Sequence, residues 1–257
     1  TQSWAHYVEA GERLKRATGA YLISHARTLK DLMVRCGVPV GSGQYFDAQQ
    51  RPNVTGDRFR LAFELARRVR RSGLDARVVN WTPEWAEGLK RGSLATELSG
   101  AWMAGQMANW VCPNTKGLWR VAQLPQGCFA YYGGTYYAMP RRADPAKRDL
   151  AWSLMLALTM DPLRQLQGFQ SEDAFPALRS VHDDAFFEQP PSFLGGQRAR
   201  LLWRDASQRV QALPMHRQHR FADEVINAEL DNVLEFDKPI ADALADAQRG
   251  LEVRANR

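Results

Sequence analysis

The chain has 257 residues, with 34 Lys and Arg against 28 Asp and Glu, a net charge of +6, and 45% hydrophobic and 24% charged residues. That length can bury a substantial core as one large domain or two small ones, and the composition is that of an ordinary globular protein. No apolar stretch approaches the roughly 20 residues of a membrane span, and Thr1-Gln2-Ser3-Trp4 lacks the basic-then-apolar order of a signal peptide, though a processed protein would look the same.

The charge excess invites a nucleic-acid reading, so its distribution matters more than its sum. The one dense cluster is Arg67-Arg68-Val69-Arg70-Arg71, at the end of an amphipathic helix before Gly73. Cations there complement the carbonyl end of the helix dipole, which favours a solvated helix end over a phosphate-binding patch. The three cysteines have no metal-ligand spacing. Cys36 falls on an apolar helix face and reads as core. Cys112 and Cys128 flank one expected strand, and an oxidising compartment would allow them to pair.

In chain order, Ser3 caps a helix whose apolar stripe is Trp4, Tyr7, Val8, Gly11 and Leu14, and Gly19 ends it. Tyr21 to Ile23 reads as a short strand, and Leu29, Leu32, Met33 and Cys36 mark a helix closed by Gly37. Val38 to Gly56 has no period and reads as a long loop. Asp57 to Arg71 is a helix, Arg77 to Asn80 a strand, and Thr82-Pro83 opens a helix holding Trp85 and Leu89. Leu94 to Leu98 reads as a strand that stops at Ser99-Gly100 and restarts as a helix at Ala101, carrying Trp102, the pattern by which an open α/β sheet builds a ligand crevice.

Leu118 to Leu124 and Tyr131 to Met139 are the next expected strands. Pro145 to Met160 is a helix apolar on most sides, which predicts that it packs on residues outside the chain, is disordered, or is swapped with a neighbour. A helical stretch follows Gly195-Gly196-Gln197, and two clear helices close the chain, one with Val225, Ile226, Leu230, Val233 and Leu234, the other with Ile240, Ala243, Leu244, Ala247 and Leu251.

Several motifs, in order, resemble the sugar-binding, maltodextrin-binding-protein-like family of extracellular solute-binding proteins, the capture subunits of ABC importers. They are Trp4-Ala5-His6-Tyr7-Val8-Glu9-Ala10-Gly11, Tyr45-Phe46-Asp47-Ala48, Leu94 to Met103, Trp119 to Pro125, Tyr132-Gly133-Gly134-Thr135, Phe175-Pro176-Ala177-Leu178, and Ile226 to Leu230 with Ala243 to Ala247. The resemblance implies an α/β, periplasmic-binding-protein-like (type II) two-lobed fold. The helix similar to Trp4–Leu14 follows a complete first α/β segment in that family, so the chain is expected to be the later part of such a protein. Residues 1–128 and 177–257 would then form the second lobe, and 129–176 would cross the hinge to the first.

The function implied is capture of a mono- or oligosaccharide for a membrane permease, without catalysis, cofactor, metal or nucleic acid, by a monomer in the periplasm or outside the cell, lipid-anchored in some precursors. The resemblance places a sugar-stacking aromatic at Trp102. Trp81 and Trp203 stand between ligand contact and core, and Gly133-Gly134-Thr135 between a tight bend and ligand contact. Trp4, Trp85 and Trp152 read as packing. His216 and His219 share a helical face without carboxylates at metal spacing and read as a link, and Asp183-Asp184 reads as a turn or cap. No nucleophile elbow, phosphate loop or dinucleotide fingerprint is present. The rivals are a carbohydrate-acting enzyme, which needs two carboxylates across the scissile bond, and a basic nucleic-acid-binding module, which would lose affinity steeply with salt.

Overall fold

Helix boundaries follow the capping residues. In the computed structural model, which describes residues 2–255, Ser3 accepts a hydrogen bond from the His6 amide, and Gly19 closes the first helix in the left-handed region at φ 76°. The helices are α1 (Trp4–Thr18), α2 (Arg27–Met33), α3 (Asp57–Arg71), α4 (Pro83–Arg91), α5 (Met103–Gln106), α6 (Pro145–Thr159), α7 (Pro162–Glu172), α8 (Ala199–Arg209), α9 (His219–Phe236) and α10 (Ile240–Ala255). Thr82 caps α4 with Pro83 at its first position, and Asp144 and Asp161 do the same for α6 and α7.

The chain divides into two units, one of residues 1–98, 123–131 and 210–257, the other of 99–122 and 132–209. In the first, α9 and α10 pack on each other and on α3. Their apolar faces meet in one core that includes Val8, Ile23, Leu29, Phe59, Phe63, Ile226, Leu230, Ala243 and Leu251. Their burial follows from spacing at three and four residues along each helix.

The expected sheet is reduced in this unit to isolated bridges. Tyr21 pairs with Leu94 and Ile23 with Asp75, both in parallel. The Leu22 amide donates to the Leu74 carbonyl at 2.8 Å and the Ala76 amide to Ile23 at 3.0 Å, while the Ala95 amide donates to Tyr21 at 2.9 Å on the other side. Residues 21–24 thus lie between 74–78 and 93–96 with all three running the same way. Each segment leaves for a turn or helix after a few residues, too soon for consecutive bridges, so the chain is mostly helical.

The cysteine pairing corrects an expectation. Cys36, in the turn after α2, is bonded to Cys128, 92 residues on, with Cα atoms 5.5 Å apart, so Cys128 does not pair with Cys112 and Cys36 is more than a core residue. Cys112 is buried outside that bridge.

The second unit is built on an aromatic cluster in which the Phe169 ring meets Phe175, Phe186 and Phe187 at 4.8–5.7 Å. Arg200 lies over the Phe186 ring at 3.7 Å and binds Asp173 at 3.0 Å, a buried ion pair joining α8 to the end of α7. Residues 118–124 and 131–139, expected as strands, form no bridge. Around Val121 the side-chain amide of Gln197 stands in for a strand neighbour, donating to the Val121 carbonyl at 2.6 Å and accepting from its amide at 2.7 Å. The helix α6 contains no buried residue.

Candidate functional site

In the first unit the carboxyl ends of the parallel segments are tied side by side. Ser24 follows the central segment and donates from Oγ to Asn80 Oδ1 at 2.6 Å. Asn80 Nδ2 donates to Glu97 Oε1 at 3.0 Å, and Trp85 Nε1 donates to Glu97 Oε2, also at 3.0 Å. Trp81, 56% exposed, leans on Trp85 with ring centroids 5.0 Å apart. Its backbone is left-handed at φ 70°, a conformation costly for a bulky residue and held here by the turn into α4. Carboxyl ends of parallel segments are where open α/β arrangements bind ligands, because the loops there are free to carry side chains.

In the second unit Trp102 is half-buried and stacks on Tyr132, with ring planes 18° apart and centroids at 6.3 Å. Its indole folds back over Gly100, where a Cβ would lie 2.6 Å from Trp102 Nε1, so a larger residue would push the ring aside. Gly133 at φ 74° and Gly134 follow directly, both exposed, as is Thr135. Trp102, Tyr132 and Gly133-Gly134-Thr135 therefore fall in one neighbourhood, while Trp81 belongs to the first unit. Trp203 is 9% exposed, on the buried face of α8.

Glu97 was not singled out by the sequence. Its donors stand 17 and 12 residues away, a juxtaposition with no local signature. Burial raises its carboxyl to about 7, against the opposing hydrogen bond from Trp85.

Other residues take structural roles. His216 stacks on Phe46 at 3.9 Å and His219 meets Tyr45 at 5.0 Å, so both imidazoles pack on the long loop. Asp184 caps a short turn by accepting from the Phe186 amide. Three arginines of the cluster are ion-paired: Arg68 with Glu12, Arg70 with Asp75 and Glu235, and Arg71 with Asp237. Among the described residues no group of three or more His, Cys, Asp or Glu is placed to hold a metal ion, and no helix is long and apolar enough to cross a membrane.

No protein-family model matches the sequence, and no curated protein matches it. Solved structures do. An extracellular solute-binding protein family 1 structure aligns with 100% of this chain and 64% of its own at 20% identity and a TM-score of 0.77. The sugar-binding protein MalE from Xanthomonas citri aligns with 98% of this chain and 62% of its own at 18% identity and a TM-score of 0.76. An ABC transporter associated binding protein from B. animalis subsp. lactis Bl-04, in complex with β-1,6-galactobiose, aligns with 97% and 65% at 19% identity and a TM-score of 0.72. The chain therefore has the fold of the solute-binding proteins and spans under two thirds of the length of these three.

Proposed function

We propose that this chain is the larger part of a solute-binding protein that captures a mono- or oligosaccharide and presents it unaltered to the membrane permease of an ABC importer. The observation that carries this reading is Trp102, a half-buried indole stacked on Tyr132 beside the exposed Gly133-Gly134-Thr135 turn. A flat aromatic face next to small residues suits the C–H face of a sugar ring, with backbone and hydroxyl groups near for its oxygens. Trp81 offers a second exposed aromatic face in the first unit, and Trp203 lies on the buried face of α8.

The shared fold supports the reading, since the protein of that fold described above holds a galactobiose. The Cys36–Cys128 bond fits a periplasmic or extracellular location, where disulfides persist. In the full-length protein residues 1–128 and 177–257 belong to the second lobe and 129–176 reach the first, whose sheet covers α6. The whole acts as a monomer, and a lipid anchor on its precursor belongs to the same reading.

The test is Trp102→Ala in the full-length protein. Stacking one ring face hides on the order of 60 Å² of apolar surface, worth roughly 1.5 kcal/mol at about 25 cal/mol per Å², so sugar binding weakens about tenfold. The melting temperature changes little, because a half-exposed ring leaves no sealed cavity. Normal binding with a melting point many degrees lower would make Trp102 a core residue and remove the reading's main support.

A further inference from the structure

Glu97 Oε1 and Oε2 each accept one hydrogen bond, from Asn80 and Trp85. A carboxylate has about four acceptor positions, so two remain once those donors have fixed its plane. Asn80 is itself fixed by Ser24, and Trp85 by burial in α4, so the orientation is built in before any ligand arrives. The exposed Trp81 ring packs on Trp85, whose indole N–H donates to Glu97.

We propose that Glu97 is the acceptor for ligand hydroxyl groups at this edge of the first unit, and that its negative charge restricts the ligand to neutral polyhydroxylated molecules, excluding sugar acids and sugar phosphates. The inference rests on the carbohydrate-binding reading and narrows it. Hydroxyl donors of a sugar supply the bonds that burial denies the carboxylate, and hydrogen bonds to a charged acceptor are roughly twice as strong as neutral ones. An anionic ligand would meet like charge in a partly desolvated place, which is costly. His25, next to Ser24, is held below its ordinary 6.5 by burial, and the charges that act on it are Asp75, Arg70, Arg27 and Asp231. Ser24, Asn80 and Trp85 are uncharged, and burial holds the Tyr7 hydroxyl of α1, which bonds Thr96, protonated well above its usual value.

Burial lifts the Glu97 carboxyl to about 7, and a ligand that donates to the ionised form draws it down again. By linkage the affinity then rises with pH through that range and falls as Glu97 takes up its proton.

The experiment is calorimetric titration of the full-length protein with maltose, β-1,6-galactobiose and ribitol as neutral probes, and glucuronate and glucose 6-phosphate as anionic ones, near pH 6 and near pH 8. At least one neutral probe binds, about tenfold more tightly near pH 8, and the anionic probes bind more weakly than any neutral probe that binds. Glu97→Gln weakens the neutral probe about tenfold to a hundredfold near pH 8 and removes its pH dependence. Equal binding by wild type and Glu97→Gln with no pH dependence overturns the inference and leaves the carbohydrate reading intact. Preferential binding of an anionic probe also overturns it. Should the variant melt far below wild type, the wild-type pH profile decides, a flat profile counting against Glu97. Failure of wild type to bind any probe removes the carbohydrate reading, and this inference with it.

Discussion

The helices α10 and α6 are of similar length and both carry leucine and alanine at helical spacing, yet α10 buries Ala243, Leu244, Ala247 and Leu251 while α6 buries nothing. In α6, Leu150 is 73% and Leu154 58% exposed, and Trp152 is on the surface. The difference is in neighbours rather than composition. The apolar stripe of α10 faces α9 and α3, whose own stripes complete a closed cluster, whereas α6 packs chiefly on α7 in the second unit. Apolar side chains stabilise a helix in place only when something removes their other side from water.

The largest expected effect sharpens that contrast from the first unit's side. Cys128→Ser opens a loop of 92 residues, and chain entropy sets the loss at about 4–5 kcal/mol. Denaturant unfolding with and without reductant should show the loss in wild type and none in the variant. Next in size, Phe63→Ala in α3 removes a fully buried ring and costs about 3–5 kcal/mol, while Leu154→Ala in α6 stays within about 0.5 kcal/mol in this chain. Comparable losses at the two positions would break the comparison.

The smallest effect is in acid. Burial lowers His25 and His219, both in the first unit, below the ordinary value of 6.5. The folded state then binds fewer protons than the unfolded chain, so these residues take stability away as pH falls below about 6.5. Glu97, raised to about 7, works in the opposite sense, so the measurement is a difference. Wild type should lose stability relative to the His25→Gln, His219→Gln variant between roughly pH 6.5 and pH 5, and a constant difference would show that burial does not act on these imidazoles.

The helices were legible because their signals are local. Ser3 and Gly19 around α1, Thr82-Pro83 and Gly92 around α4, and the three-and-four spacing of α9 and α10 each act within a turn or two of chain. The strands were not, because a strand is defined by its partner. Residues 131–139 have the β-rich tyrosines of a strand and pair with nothing as a bridge, whereas Tyr21 and Ile23 make isolated bridges because Leu94 and Asp75 flank them. Cysteine pairing and the surroundings of Glu97 were hidden for the same reason: Cys36 and Cys128 are 92 residues apart, and no local pattern links them. Trp102 drew notice through the Ser99-Gly100 turn ahead of it and the family resemblance, and the structure places its ring over Gly100.

A carbohydrate site of which these residues supply part would be completed by the rest of a larger protein. The most direct measurement is a calorimetric titration of a neutral sugar panel into the full-length protein and, in parallel, into residues 1–257 alone, with the ligand recovered and checked for conversion. The account predicts binding of at least one sugar to the full-length protein at about micromolar affinity, at least about a hundredfold weaker binding to residues 1–257, and unaltered ligand. Micromolar binding to residues 1–257 alone, a hydrolysed ligand, or no sugar bound by the full-length protein would contradict it.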